Sequence, residues 1–246
     1  MQKQNKPKPF ILGALAAVFI AVLAYSLYNA LIVYIPEKQE QTRFEELRQL
    51  AEDDKEDPLA KYAELTEMNG DFRGWLKIKG TDIDYPVLKP DEEQPEYYLH
   101  RDFDKNYSFS GVPFIGAGAD ENSDSFIIYA HNMKTDTMFG TLDDYADEQW
   151  AFQHRDIVFN TPKERRVYRA FAAFQTKVGA DGEFKYYEKT GSLSEKEYME
   201  FLAEAEKNAK AVFGEFPPEK AQLLMLSTCS YHTENGRFVV IAYRAE

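Results

Sequence analysis

The sequence predicts a mainly β chain: a small eight-stranded barrel, preceded by an apolar helix and a short helical segment. Three observations carry that expectation. From about Asp71 onward, short β-rich runs are cut at regular intervals by Gly, Pro, Asn and Asp. Their number and spacing suit a closed or nearly closed barrel. Ahead of them lies a stretch from Phe10 to Ile35 with no charged residue.

That first stretch is long enough for a bilayer core, which needs roughly 20 apolar residues as a helix. It exceeds the apolar core of a cleavable signal peptide, about 7–15 residues. Lys3, Lys6 and Lys8 precede it without an acid, which holds that end in the cytoplasm under the positive-inside rule. Tyr25, Tyr28 and Tyr34 fall on the outer half, where interfacial aromatics gather. The expected order is therefore a cytoplasmic tail (1–9), a single-pass transmembrane anchor (10–35), a helical segment (36–70) and an extracytoplasmic barrel (71–246).

In the helical segment Phe44, Leu47 and Ala51 keep helical spacing. Asp57-Pro58 reads as a helix start, Asn69-Gly70 as a stop, and Leu59, Tyr62 and Leu65 form one apolar stripe between them. The strand candidates are "GWLKIKG", "IDYPVL", "GVPFIG", "SFIIYAH", "DIVFN", "RVYRAFAAF", "AQLLMLSTC" and "GRFVVIAYR". One helix interrupts them near 194–209. Ser194 and Glu197 fit a capping box, and Tyr198, Phe201, Leu202 and Ala205 follow at helical spacing. A shorter helix is expected around Thr141–Trp150.

The 246 residues carry a formal charge of -13, which argues against a nucleic-acid partner because phosphate binding needs a basic face. No metal site is expected. "DENSD" (120–124) lacks the glycine and terminal glutamate of a calcium loop, and "DDYAD" (143–147) reads as a solvated helix face. Nor is a cofactor expected.

The chemistry concentrates in "LSTCSYHTENGRFVV" (226–240), which holds the only cysteine, Cys229. If "QLLMLSTC" and "GRFVVIAY" pair antiparallel, with Asn235-Gly236 in the turn, Cys229 and Arg237 face each other. Their Cβ atoms would then be about 4.5–5.5 Å apart, with Ser227 on the same face by strand alternation. A guanidinium beside a thiol favours the thiolate and offers donors to a developing oxyanion. A thiolate nucleophile also needs an imidazole. His131, at the end of "SFIIYA", is expected on the barrel rim. His232 rivals it by proximity, while His100 and His154 lie in polar surroundings. The plainer reading is an inert buried thiol, a structural histidine and an arginine paired with a surface carboxylate.

"LSTC" followed by "GRFVV", with "IIYAHNM" upstream and "YYLHRDF" near 97–103, resembles the class B sortases over roughly residues 70 to 246. The resemblance implies a sortase-type barrel and a cysteine transpeptidase. It implies that Cys229 attacks the carbonyl of a Thr in a carboxyl-terminal sorting signal of a secreted protein. It further implies that His131 works as general acid and then base, that Arg237 supports the oxyanion, and that Ser227 and Thr228 line the substrate groove. The acceptor would be an amine of peptidoglycan or its lipid-linked precursor. Met225 stands where many relatives have Thr, and Ser230 where class B members often have an acid; both bear on sorting-signal preference. The alternatives are a pilin-polymerising sortase with a lysine acceptor, a thiol hydrolase of the same fold and a non-catalytic wall-associated binding module.

Overall fold

Nine strands alternate with short helices in the computed structural model, which describes residues 9–29, 31, 35–52, 58–179, 182–230 and 233–246. The chain divides into two compact units, Met1–Arg43 and Phe44–Glu246. In the first, α1 (Pro9–Asn29) runs 21 residues without a charged side chain, and its large apolar side chains, Phe19 and Leu23 among them, are exposed. Among the described residues no helix is long and apolar enough to cross a membrane. The anchor expected over 10–35 is thus not established by the fold, and residues 30 and 32–34 lie outside the described ones.

The second unit opens inside α2 (Ile35–Glu52), where Phe44 and Leu47 are buried. Phe44 meets Tyr85 edge-on at 5.3 Å. Helix α3 (Pro58–Met68) buries Tyr62 and Leu65, two of the three residues of the expected stripe; the side chain of Leu59 lies outside the described ones. It ends where Asn69 turns its side chain away to donate to the Phe103 carbonyl at 2.7 Å. Asp57, read as its start, lies outside the described residues.

The strands are β1 (Phe72–Ile78), β2 (Asp84–Leu88), β3 (Phe114–Ile115), β4 (Ser125–Tyr129), β5 (Asp156–Asn160), β6 (Val167–Lys177), β7 (Ala209–Val212), β8 (Leu223–Cys229) and β9 (Gly236–Arg244). They hydrogen-bond in the order β5-β1-β2-β3-β4-β8-β9-β6-β7, and a further β5–β6 pairing closes eight of them into a barrel. The sheet is mixed: β2–β3 and β4–β8 are parallel, the other pairs antiparallel. All eight predicted strands are present. The ninth, β7, is four residues following directly on a helix and pairs only with β6 outside the closed ring.

Helix α4 (Glu148–Gln153) is shorter than expected, because 142–146 forms a 3-10 turn first. Helix α5 (Glu195–Asn208) starts on the predicted capping box and buries Tyr198, Phe201, Leu202 and Ala205. It covers the barrel from outside, which divides the apolar core in two. Leu224, Leu226, Phe238 and Val240 fill the barrel. Leu223, Met225, Val239 and Ile241 face outward beneath Phe201 and Tyr198 of α5. This alternation decides where the functional groups emerge.

Candidate active site

Three neighbouring strand ends bring the predicted residues together. Strand β8 pairs antiparallel with β9 in a register that sets Cys229 opposite Arg237. On its other side β8 runs parallel to β4, with Tyr129 opposite Ser227. Two residues further along from each come His131, just past the end of β4, and Cys229, the last residue of β8. The thiol strand is thus central, with the imidazole on one flank and the guanidinium on the other.

The sequence places His131 on the barrel rim, just past the end of β4, and the structure adds which face of the sheet the strand-borne groups occupy. Cys229 and Ser227 share the parity of Leu223 and Met225, and Arg237 that of Val239 and Ile241, so all continue the outward face. The site lies on the outer wall of the barrel, beside the β6–β7 connection. Cys229 and Arg237 are both half-buried there.

His131 is held from several directions. Its Nε2 lies 2.9 Å from the Leu99 carbonyl. A carbonyl only accepts, so Nε2 is the donor and the neutral ring keeps its lone pair on Nδ1. The His131 carbonyl accepts from Phe139 N–H at 2.9 Å, and Asn132 pairs with Met138 across the loop. A side chain at Gly140 would collide with the Met133 carbonyl, so glycine allows this tight return. Burial lowers the His131 pKa below the ordinary imidazole value; the Leu99 carbonyl opposes that and nearby His100 adds to it.

The next residue ties the loop to the nucleophile strand. Asn132 Nδ2 donates to the Cys229 carbonyl at 2.9 Å and lies 3.4 Å from Asp143 Oδ2. Arg237 forms no ion pair among the described residues; its Nη1 donates to the Gly236 carbonyl at 3.0 Å. The plain alternative, an arginine neutralised by a surface carboxylate, is therefore not what the fold holds.

Ser227 and Thr228 are 0% and 2% exposed, and each hydroxyl is engaged within the protein. Thr228 donates to the Ala130 carbonyl at 2.8 Å, and Ser227 shares a 2.7 Å hydrogen bond with Tyr186. Neither side chain presents free surface to a substrate. Their hydroxyls tie β8 to the residue after β4 and to Tyr186 instead. Tyr186 is core, and Tyr187 is half-buried beside it. Burial raises the pKa of Tyr186 and of Tyr129, so both phenols stay protonated.

The other histidines separate cleanly. His154 stacks on Trp150 at 3.9 Å and bonds the Trp150 carbonyl, a structural role. His100 is exposed, yet its ring centre lies 5.3 Å from that of His131. His232 lies outside the described residues. Among those described, no group of three or more His, Cys, Asp or Glu side chains is placed to hold a metal. Sequence reading missed Leu99 and Asn132, and set His100 aside as lying in polar surroundings. Asn132 left a trace as the residue following the histidine in "YAHN".

Fold and site together define a thiol enzyme of the acyl-transfer kind, a cysteine transpeptidase. A family model for the sortase domain matches residues 76–245. Sortase B of Staphylococcus aureus is 27% identical over 240 residues, covering 94% of this chain and 94% of that protein. Sortase B of Listeria monocytogenes is 27% identical over 184 residues, covering 72% of this chain and 71% of its own length. The solved Staphylococcus aureus sortase B–substrate complex superposes with a TM-score of 0.76 at 25% identity, over 86% of this chain and 99% of that one. Clostridium perfringens sortase B gives 0.67 at 27% identity, over 75% and 99%. The chain belongs to the sortase family, and to its class B.

Proposed function

We propose that this sortase cleaves a carboxyl-terminal sorting signal after Thr and transfers the new acyl end to an amine of peptidoglycan or its precursor. The observation that carries the proposal is the β8–β9 register that pairs Cys229 with Arg237, beside a β4 strand that pairs with β8 up to Tyr129 and Ser227 and leads two residues later to His131.

In the first half, Cys229 sulfur attacks the Thr carbonyl while Arg237 donates to the oxygen that becomes negative. The C–N bond breaks as His131 delivers a proton to the leaving amine, and a thioester remains. In the second half, an incoming amine attacks the thioester carbonyl. The C–N bond forms, the C–S bond breaks, the amine proton passes to His131 and the thiolate leaves. A neutral imidazole suits the second half as base, which is the form that burial favours.

The charge-free run from Phe10 to Ile35 behind a lysine-bearing tail supports a single-pass anchor with the barrel outside the cell. Fractionation of cells expressing the full chain tests it: the protein sediments with membranes and resists high salt, whereas release by salt contradicts an anchor.

The activity is tested with full-length protein in detergent, a library of sorting-signal peptides and two acceptors, a wall-type amine and a pilin-type lysine. Mass spectrometry then reads the products. Cleavage after Thr with amide formation to the wall-type amine is expected. Preference for the lysine favours pilus assembly, free acid alone favours a hydrolase, and no cleavage of any peptide contradicts the reading.

A further inference from the structure

The connection between β2 and β3 forms one wall of the active site, and it carries an unclaimed cation. Through the Leu99 carbonyl it holds His131 at 2.9 Å. The next residue, His100, tilts against His131 at 5.3 Å and stacks on Tyr107 at 6.4 Å with 20° between planes. Arg101 bridges backbone to backbone with Tyr107, and its guanidinium lies 5.6 Å over the Tyr97 ring. A guanidinium held over an aromatic ring still has donors to offer a planar oxyanion.

Arg101 pairs with no carboxylate among the described residues. That is unusual in a chain with 42 acidic residues against 29 Lys and Arg. Its neighbour Lys105 is paired with Asp71 at 2.8 Å, and Asp102 bonds Asn106 at 2.8 Å. Around the polar hollow of about 420 Å³ formed by Glu164, Arg166, Lys220, Arg244 and their neighbours, those three cations all have a carboxylate partner. Tyr107, stacked on His100, and Phe109, two residues on, are 71% and 62% exposed, and the His100 ring separates Tyr107 from the imidazole that receives the incoming amine's proton.

We propose that Arg101, with the Tyr107 and Phe109 platform, is an acceptor subsite that recognises a carboxylate close to the reacting amine of the incoming peptide. This rests on the transpeptidase reading above. The subsite lies on the imidazole side of the thiol, where an amine must approach the thioester. It selects an amino-acid-like amine over a lysine flanked by peptide bonds.

The test uses full-length protein in detergent, one cleavable sorting-signal peptide and two acceptors. These are the same diamino acid with the carboxylate beside the reacting amine either free or amidated. The readout is the ratio of transfer to hydrolysis. The free carboxylate is favoured by about five-fold, the scale of a half-exposed ion pair. Arg101→Gln removes that preference, Arg101→Lys keeps part of it, and Tyr107→Ala raises the acceptor KM about as much. Equal use of both acceptors by the unaltered protein, or a preference that survives Arg101→Gln, overturns the subsite. Hydrolysis of the peptide in every variant shows that the fold is intact, and absence of cleavage in the unaltered protein sinks the transpeptidase reading itself.

Discussion

Cys229 and Arg237 are direct partners in the β8–β9 ladder, so sulfur and guanidinium leave the sheet on the same side. The pair sits on the outer wall because its parity continues Met225 and Val239, which pack under α5, rather than Leu226 and Val240 in the barrel. Since Arg237 forms no ion pair among the described residues, its donors are available to a substrate oxygen. Arg237→Ala is expected to lower kcat/KM for peptide cleavage by about 10²–10³-fold, the usual cost of losing an oxyanion donor. Steady-state kinetics check this, with Arg237→Lys falling between.

Asn132 joins the histidine loop to the cysteine strand through the Cys229 carbonyl. It acts as a positioning residue. Asn132→Ala is expected to cut kcat about ten-fold or more with little change in peptide KM, because a misplaced reacting group costs rate more than binding. A KM-dominated effect contradicts this.

The Tyr186–Ser227 hydrogen bond is buried and supports the strand just before the thiol. Tyr186→Phe and Ser227→Ala should each cost about 1 kcal/mol of stability. The double variant should cost less than the two together, because each single change leaves one buried hydroxyl without its partner. Urea unfolding of the four proteins measures the coupling.

Burial keeps the His131 pKa below the ordinary imidazole value, and the neighbouring His100 charge adds to this. The neutral ring's contribution to stability is therefore whole above about pH 6.5. It is lost as pH falls through the lower folded value, because the unfolded chain takes the proton more readily. His131→Gln should make stability less sensitive to pH across that window. His100→Gln removes a like charge, so the acid limb of the transfer rate should move to higher pH. An unmoved limb shows that the two rings are not coupled.

Much of this was legible in the sequence. Alternating apolar runs marked eight strands, and the Ser194–Glu197 box marked α5, because these signals are local. Asn235-Gly236 did the same for the β8–β9 turn, where Asn235 adopts a φ of 58°. What failed was non-local. Parity shows that Cys229 and Leu226 point opposite ways, but not which side is the interior; that depends on where α5 packs. Strand β7 is too short to show a period. The Leu99 carbonyl that fixes the imidazole is a backbone group 32 positions away, and no side-chain pattern announces it.

The most direct measurement is the mass of the protein itself after brief mixing of the full chain with a cleavable sorting-signal peptide. An added mass equal to the acyl fragment, mapped to Cys229 and discharged within one turnover by an amine, is the predicted result. Unmodified Cys229 during turnover, or product formed by Cys229→Ala, contradicts the account.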